Sequence, residues 1–186
     1  MIKKIQIELF FLIILLANVL LSYRADLSIY DYFYNLNYGV ETIYLKNFFI
    51  KVTELGDSFW YFLIVLLIFI LSFVGKVFKI TSSKSYFFLR NLSIFSFVYL
   101  SFTGIATQVL KHLIGRPRPN HADFEKGFDF NFFSTDASFH SFPSGHSSTI
   151  FSVVLILSLL VPRLKIFFLF FGSVVAISRV VVGAHY

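Results

Sequence analysis

Five stretches of this chain are apolar for long enough to bury on all sides, and the polar residues gather between them. The first covers roughly Ile5–Ser22 and is interrupted by Glu8. The second covers Phe59–Gly75, and the third, Asn91–Leu110, holds no charge. The fourth, Ile150–Val161, is short and must extend back to about Ser144 to approach the roughly 20 residues of a membrane-crossing helix. The fifth, Ile166–Ala184, contains Arg179. Only helices and closed barrels satisfy backbone polar groups in lipid, and these runs lack the alternation of barrel strands, so an all-α membrane bundle is expected. Residues 24–58 read differently. Tyr44, Phe48, Val52 and Leu55 recur at helical spacing, with Tyr30, Tyr32, Tyr34 and Trp60 nearby, which predicts an interfacial segment or a packed cap.

Composition supports a membrane protein. Hydrophobic residues make up 57% of the chain and charged residues 14%, against about 25% charged in soluble domains. The length suits one membrane-embedded domain, 1–186, and no internal repeat is visible. There is no cysteine, which excludes disulfides and thiol chemistry. The net charge of +6 does not indicate a nucleic-acid partner, because its placement follows membrane topology. Lys3, Lys4, Lys76, Lys79, Lys84, Arg90, Arg163 and Lys165 fall in one alternate set of loops without an acid. Asp26, Asp31, Glu41, Glu54, Asp57, Asp123, Glu125, Asp129 and Asp136 fall in the other set. The first set is therefore expected in the cytoplasm, with the N-terminus inside. No small-residue cleavage pattern follows the first run, so it reads as an uncleaved helix rather than a secretory signal.

Three polar segments remain at the ends of these runs, all on the face expected to be outer. Lys111 closes the third run, and Arg118 stands seven residues on between Pro117 and Pro119, so it lies on an extended, stiff segment. Arg offers phosphate a planar fork and Lys a point charge. Arg116 reads as a basic residue snorkelling to headgroups. Pro143-Ser144-Gly145-His146 precedes the fourth run, where a helix start would expose unpaired N–H groups. Gly145 lets a ligand approach, and His146 titrates near neutrality and can protonate a leaving oxygen. In the fifth run Arg179 is costly in lipid and marks a functional site by default. In an unbroken helix Ser178 and His185 would share a face, with Gly183 the point at which the last turn could loosen, and a neutral His185 imidazole could attack phosphorus. His112, His121 and His140 read as loop or interfacial histidines. The Phe-rich loop Asn120–Ser141 is expected to dip over the site.

Lys111-x6-Arg118-Pro119, Pro143-Ser144-Gly145-His146 and Ser178-Arg179-x5-His185 resemble the motifs of the type 2 phosphatidic acid phosphatase family. The resemblance implies a six-helix bacterial membrane enzyme, five of whose helices are present here, acting on a lipid phosphate at the outer face of the inner membrane. Its substrate would be undecaprenyl pyrophosphate, phosphatidylglycerophosphate, phosphatidic acid or the phosphates of lipid A. It further implies that Lys111, Arg118 and Arg179 hold the phosphate oxygens, with hydrogen bonds from Ser144 and Gly145. His146 would be the general acid and His185 the nucleophile of a phosphohistidine mechanism, with Ser178, Pro119 and Pro143 supporting. No metal or other cofactor is implied. The family pattern continues with an Asp four residues past His185 and a sixth helix, both beyond Tyr186. The chain is thus expected to be an incomplete reading of a normal enzyme, with His185 at a frayed terminus. The alternative is a crippled family member that binds lipid phosphate without turnover.

Overall fold

The structure, a computed structural model, describes residues 43–119 and 130–185, together with Ile13, Asp26 and 28–33. The first apolar run, Ile13 apart, and residues 120–129 lie outside the described residues. Five α-helices follow in order: α1 (Ile43–Glu54), α2 (Ser58–Val77), α3 (Ser83–Ile114), α4 (Gly145–Leu160) and α5 (Lys165–Val181). These include the second to fifth expected helices, and α1 carries Tyr44, Phe48 and Val52 of the expected stripe, with Leu55 in the turn just beyond it. The described residues hold no strand. The segments Ile43–Val77, Ser83–Ile114 and Pro162–Val181 are long and apolar enough to cross a membrane, and Gly145–Leu160 is a shorter apolar helix.

The helix boundaries follow from local chemistry. The Asp57 carboxylate accepts the Phe59 N–H at 2.9 Å and starts α2. The Ser82 hydroxyl accepts from Ser85 N–H at 3.2 Å and starts α3. Such caps satisfy donors that the first helical turn cannot pair internally. At the far end of α3, Gly115 adopts φ +58° in the left-handed region and donates its N–H to the Lys111 carbonyl at 2.9 Å. A side chain there would also fall 1.6 Å from the Asn131 carbonyl oxygen, so the position needs glycine twice over.

What the bundle buries is small. Its outer faces carry Leu63, Leu67, Ile70, Phe97, Phe102, Phe167 and Phe170, all exposed to lipid. Its contacts use Ser72, Gly75, Ser93, Ser96, Thr107, Ser152, Gly172 and Ser178. Without water to drive apolar surfaces together, membrane helices gain from close backbone approach and from interhelical hydrogen bonds. The Ser152 hydroxyl lies 3.1 Å from that of Thr103, linking α4 to α3. On α5, Gly172, Val175, Ser178 and Val181 form one buried stripe at three-residue steps. A Cβ at Gly172 would stand 2.8 Å from Val154 of α4.

Chain direction sorts the charges. α2 and α4 run away from the end that holds Gly56, Gly145 and His146, and α3 and α5 run back towards it. Lys76, Lys79, Lys84, Arg163 and Lys165 therefore collect at the opposite end from Lys111, Arg118 and Arg179.

Replacing Gly172 by Leu is expected to destabilise the bundle by roughly 1–3 kcal/mol, the usual cost of overpacking. The melting temperature of the detergent-solubilised protein should fall, while Gly104→Ala, inside α3 with nothing within 4 Å of its added methyl group, should leave it the same or raise it slightly.

Candidate active site

The loop after α3 brings the first two motifs together. Arg118 donates its backbone N–H to Ser138 at 2.8 Å, and Ser141 donates to the Arg116 carbonyl at 3.0 Å. The stretch at 116–118 thus runs extended beside the stretch at 138–141, as the flanking prolines require. The Arg118 side chain is partly held, its Nε donating to Ala137 at 3.1 Å, which leaves both Nη groups for a ligand. Pairing also delivers Ser141 beside the start of α4, where Phe142–Pro143 is cis.

Helix α4 begins at Gly145, with Ser144 as its cap. The Ser144 hydroxyl accepts from Ser147 N–H at 3.4 Å, and its own proton remains available to an anion. A Cβ on Gly145 would lie 3.6 Å from Lys111 Nζ, so the lysine ammonium stands over the first turn of α4. Free N–H groups, a helix dipole and a cation thus meet at one point.

The third segment departs from expectation. Helix α5 does not continue to His185. It ends at Val181, and Gly183 turns the chain with φ +72°. Ala184 and His185 both donate N–H to the Arg179 carbonyl, at 3.0 and 3.1 Å. His185 and Ser178 therefore do not share a helical face. Nor is His185 frayed: it is only 5% exposed. Ser178 faces the bundle interior, fully buried, and spends its proton on the Val175 carbonyl at 2.6 Å. It cannot donate to a phosphate, and its role is packing between helices. Arg116 also differs from the snorkelling expectation: it is buried and forms an ion pair with Asp26.

The decisive contact is between His185 Nδ1 and the Ser141 carbonyl. A carbonyl only accepts, so Nδ1 carries the proton, and Nε2 of the neutral ring keeps its lone pair. Burial pushes the imidazole down from 6.5 to about 3, against the opposing pull of the Ser141 carbonyl. Arg179, Arg118 and Lys111 add to the lowering. Those same three cations act electrostatically on His146. The structure thus gathers all three predicted phosphate-binding cations around both histidines. Arg179 has a buried Nε with no hydrogen-bond partner, while its Nη1 donates to Thr53 at 2.9 Å.

The two imidazoles open on different spaces. His146 lines a cavity of about 660 Å³ with Lys111, Gly145, Gly56 and Asp57, which continues along α3 past Gly104 to Leu100. His185 lines a cavity of about 330 Å³ with Ser141, Pro143, Ser144 and Ser147. Pro119 and Pro143 shape the backbone only. His112 and His140 lie in contact with their rings tilted by 52° and ring centres 4.4 Å apart and bond the Gln108 and Ser134 carbonyls, which tethers the loop. His121 lies outside the described residues. The described residues hold no group of three or more His, Cys, Asp or Glu able to bind a metal ion.

Sequence reasoning missed Thr53 and Gly56. A Cβ on Gly56 would fall 2.6 Å from that of His146, so this glycine is the floor on which His146 rests. The available signal was Gly56-Asp57, which punctuates two helical runs.

The family profile described as PAP2 superfamily matches residues 92–186. The chain is 36% identical over 137 residues to a protein of Rhizobium etli (strain ATCC 51251 / DSM 11541 / JCM 21823 / NBRC 15573 / CFN 42) named "Lipid A 1-phosphatase", covering 73% of this chain and 59% of that protein. A second protein of that name, from Rhizobium johnstonii (strain DSM 114642 / LMG 32736 / 3841), is 35% identical over 73% of this chain and 56% of its own length. The match thus spans little more than half of each of these curated relatives. Among solved structures, "the first transmembrane PAP2 type phosphatidylglycerolphosphate phosphatase from Bacillus subtilis" superposes with a TM-score of 0.62 at 26% identity, covering 100% of this chain and 85% of that one.

The His185 environment has a readable pH signature. Its pKa is lower folded than unfolded, so between about 6.5 and 3 the unfolded chain binds the proton first. The stability contributed by the neutral ring is therefore lost as pH falls through that window. Imidazole ¹⁵N spectra should show a protonated Nδ1 and a bare Nε2 from pH 8 down to about pH 4. A titration near pH 6.5 would contradict the buried, carbonyl-bonded ring.

Proposed function

The chain belongs to the PAP2 superfamily, and from that premise we propose that it hydrolyses a phosphomonoester or pyrophosphate of a membrane lipid through a phosphohistidine intermediate. The single observation that carries the reading is a neutral His185 with its Nε2 lone pair free, set among Lys111, Arg118 and Arg179. Like charges repel one another, and gathering three half-buried cations is costly unless an anion completes the set. A phosphate group is an anion of suitable charge and shape, and Arg179 Nε already lacks a partner.

In the proposed reaction Nε2 of His185 attacks phosphorus and the bond from phosphorus to the ester or bridging oxygen breaks. His146 gives its proton to the departing oxygen. Water then attacks the phosphohistidine, His146 takes a proton from that water, and the N–P bond breaks to release inorganic phosphate. Throughout, the three cations and the first N–H groups of α4 offset the charge on the equatorial oxygens. The Ser141 carbonyl plays the orienting part, holding the ring in the reactive tautomer and stabilising the positive charge that develops on it.

Lipid A 1-phosphate is the substrate we favour, because the two curated relatives carry that name; phosphatidylglycerophosphate follows from the structural neighbour. The active end is assigned to the outer face of the inner membrane, supported by the collection of Lys76, Lys79, Lys84, Arg163 and Lys165 at the other end and the positive-inside rule.

Purified protein should release phosphate from lipid A 1-phosphate or phosphatidylglycerophosphate in mixed micelles. His185→Ala should lower turnover by about 10³-fold or more, as loss of a nucleophile does. His146→Ala should lower it about 10²–10⁴-fold, the range of general acid catalysis. Binding of lipid phosphate without release by the unsubstituted protein would replace hydrolysis with headgroup binding. Equal release by His185→Ala would remove the nucleophile assignment.

A further inference from the structure

The turn between α1 and α2 contributes two residues to a site built otherwise from the far half of the chain. Thr53, in the last turn of α1, accepts a 2.9 Å hydrogen bond from Arg179 Nη1 across 126 residues of sequence. Its own carbonyl accepts the Gly56 N–H at 2.9 Å. Gly56 in turn lies against His146, where a Cβ would come within 2.6 Å. The Tyr61 hydroxyl donates to the Leu55 carbonyl at 2.5 Å and the Asp57 N–H to that of Glu54 at 3.0 Å, so the turn is pinned from both sides. We infer that Thr53 is a positioning residue of the phosphate site: its hydroxyl fixes the Arg179 guanidinium beside Arg118 and His185, and the adjoining turn carries Gly56 as the stop for His146.

The physical reasoning is that a guanidinium without a fixed partner turns freely about its side chain. Held at one Nη by Thr53, it presents its remaining edge in a set direction before any ligand arrives, which removes an ordering cost from binding. A hydroxyl is suited to the task. It does not neutralise the arginine as a carboxylate would, and so leaves the full charge for the anion. The packing of α1 on α5 makes the contact part of the fold rather than of a loop.

This inference rests on the proposed phosphatase reading for its catalytic readout. Thr53→Val keeps the shape and removes the acceptor. In the full chain it should lower kcat/KM for the lipid phosphate by about 10-fold or more, the scale of a hydrogen bond to a charged group, and weaken inhibition by inorganic phosphate. Thr53→Ser should restore both to within about twofold. In an Arg179→Lys background the effect of Thr53→Val should shrink to below about twofold, because residues acting through one contact are not additive. A purely structural role would carry the same loss into both backgrounds, and that result, or unchanged kinetics in Thr53→Val, overturns the inference. Should Thr53→Val not fold, Thr53→Ala takes its place under the same criteria. If the unsubstituted protein releases no phosphate, the proposed function fails. Inorganic phosphate binding, followed by thermal shift on the same variants, then decides the role of Thr53 by itself.

Discussion

The hydrogen bond from His185 Nδ1 to the Ser141 carbonyl is the contact on which the site depends. It joins residues 44 apart in sequence, and each side of it has its own requirements. Ser141 is in place because its N–H pairs with Arg116, which in turn is buried against Asp26. His185 is in place because α5 stops at Val181 and Gly183 turns the chain inward. The result is an imidazole that stays neutral beside three cations and offers one defined nitrogen. A ring free to take either tautomer, or to protonate near neutrality, would offer that nitrogen only part of the time.

Much of this was legible in the sequence. The runs at Phe59–Gly75, Asn91–Leu110, Ile150–Val161 and Ile166–Ala184 gave helices, because apolar length in lipid leaves the backbone few alternatives. Lys111, Arg118, His146, Arg179 and His185 were found through their spacing, and the structure brings them together. The errors share one cause. Ser178 and His185 share a face only in an unbroken helix; Gly183 marks the place where the last turn could loosen, and its positive φ in the folded chain separates the two. Thr53 and Gly56 were missed because their importance lies in what they touch. A threonine in an amphipathic helix has no local mark that says an arginine 126 residues on will reach it. Arg116 was read as a surface cation because its partner, Asp26, is also remote in sequence.

The bundle divides its residues by solvent rather than by simple hydrophobicity. Most large side chains face outward, and serine, glycine and threonine share the interior with a small aliphatic core of Leu100, Ile150, Val154, Ile156, Val175 and Val181. This arrangement lets helices approach closely enough for α4 and α5 to hold their N- and C-terminal ends, and so the two histidines, in fixed register. It also means that the rigidity of the site comes from backbone proximity and hydroxyl bridges such as Ser152 to Thr103.

The shortness of α4 has a consequence for how such a protein meets its substrate. Its 16 residues rise about 24 Å, less than the roughly 30 Å of a bilayer's hydrocarbon core. The turn holding Ser144, Gly145 and His146 and the far end of α4 therefore cannot both reach the headgroup planes of a bilayer of ordinary thickness. On the proposed reading, a lipid phosphate would reach the turn by sliding within the leaflet, and encounters would be two-dimensional. The quantity that governs turnover is then the mole fraction of phosphorylated lipid in the surface, and an inert lipid dilutes the substrate as effectively as water dilutes a soluble one.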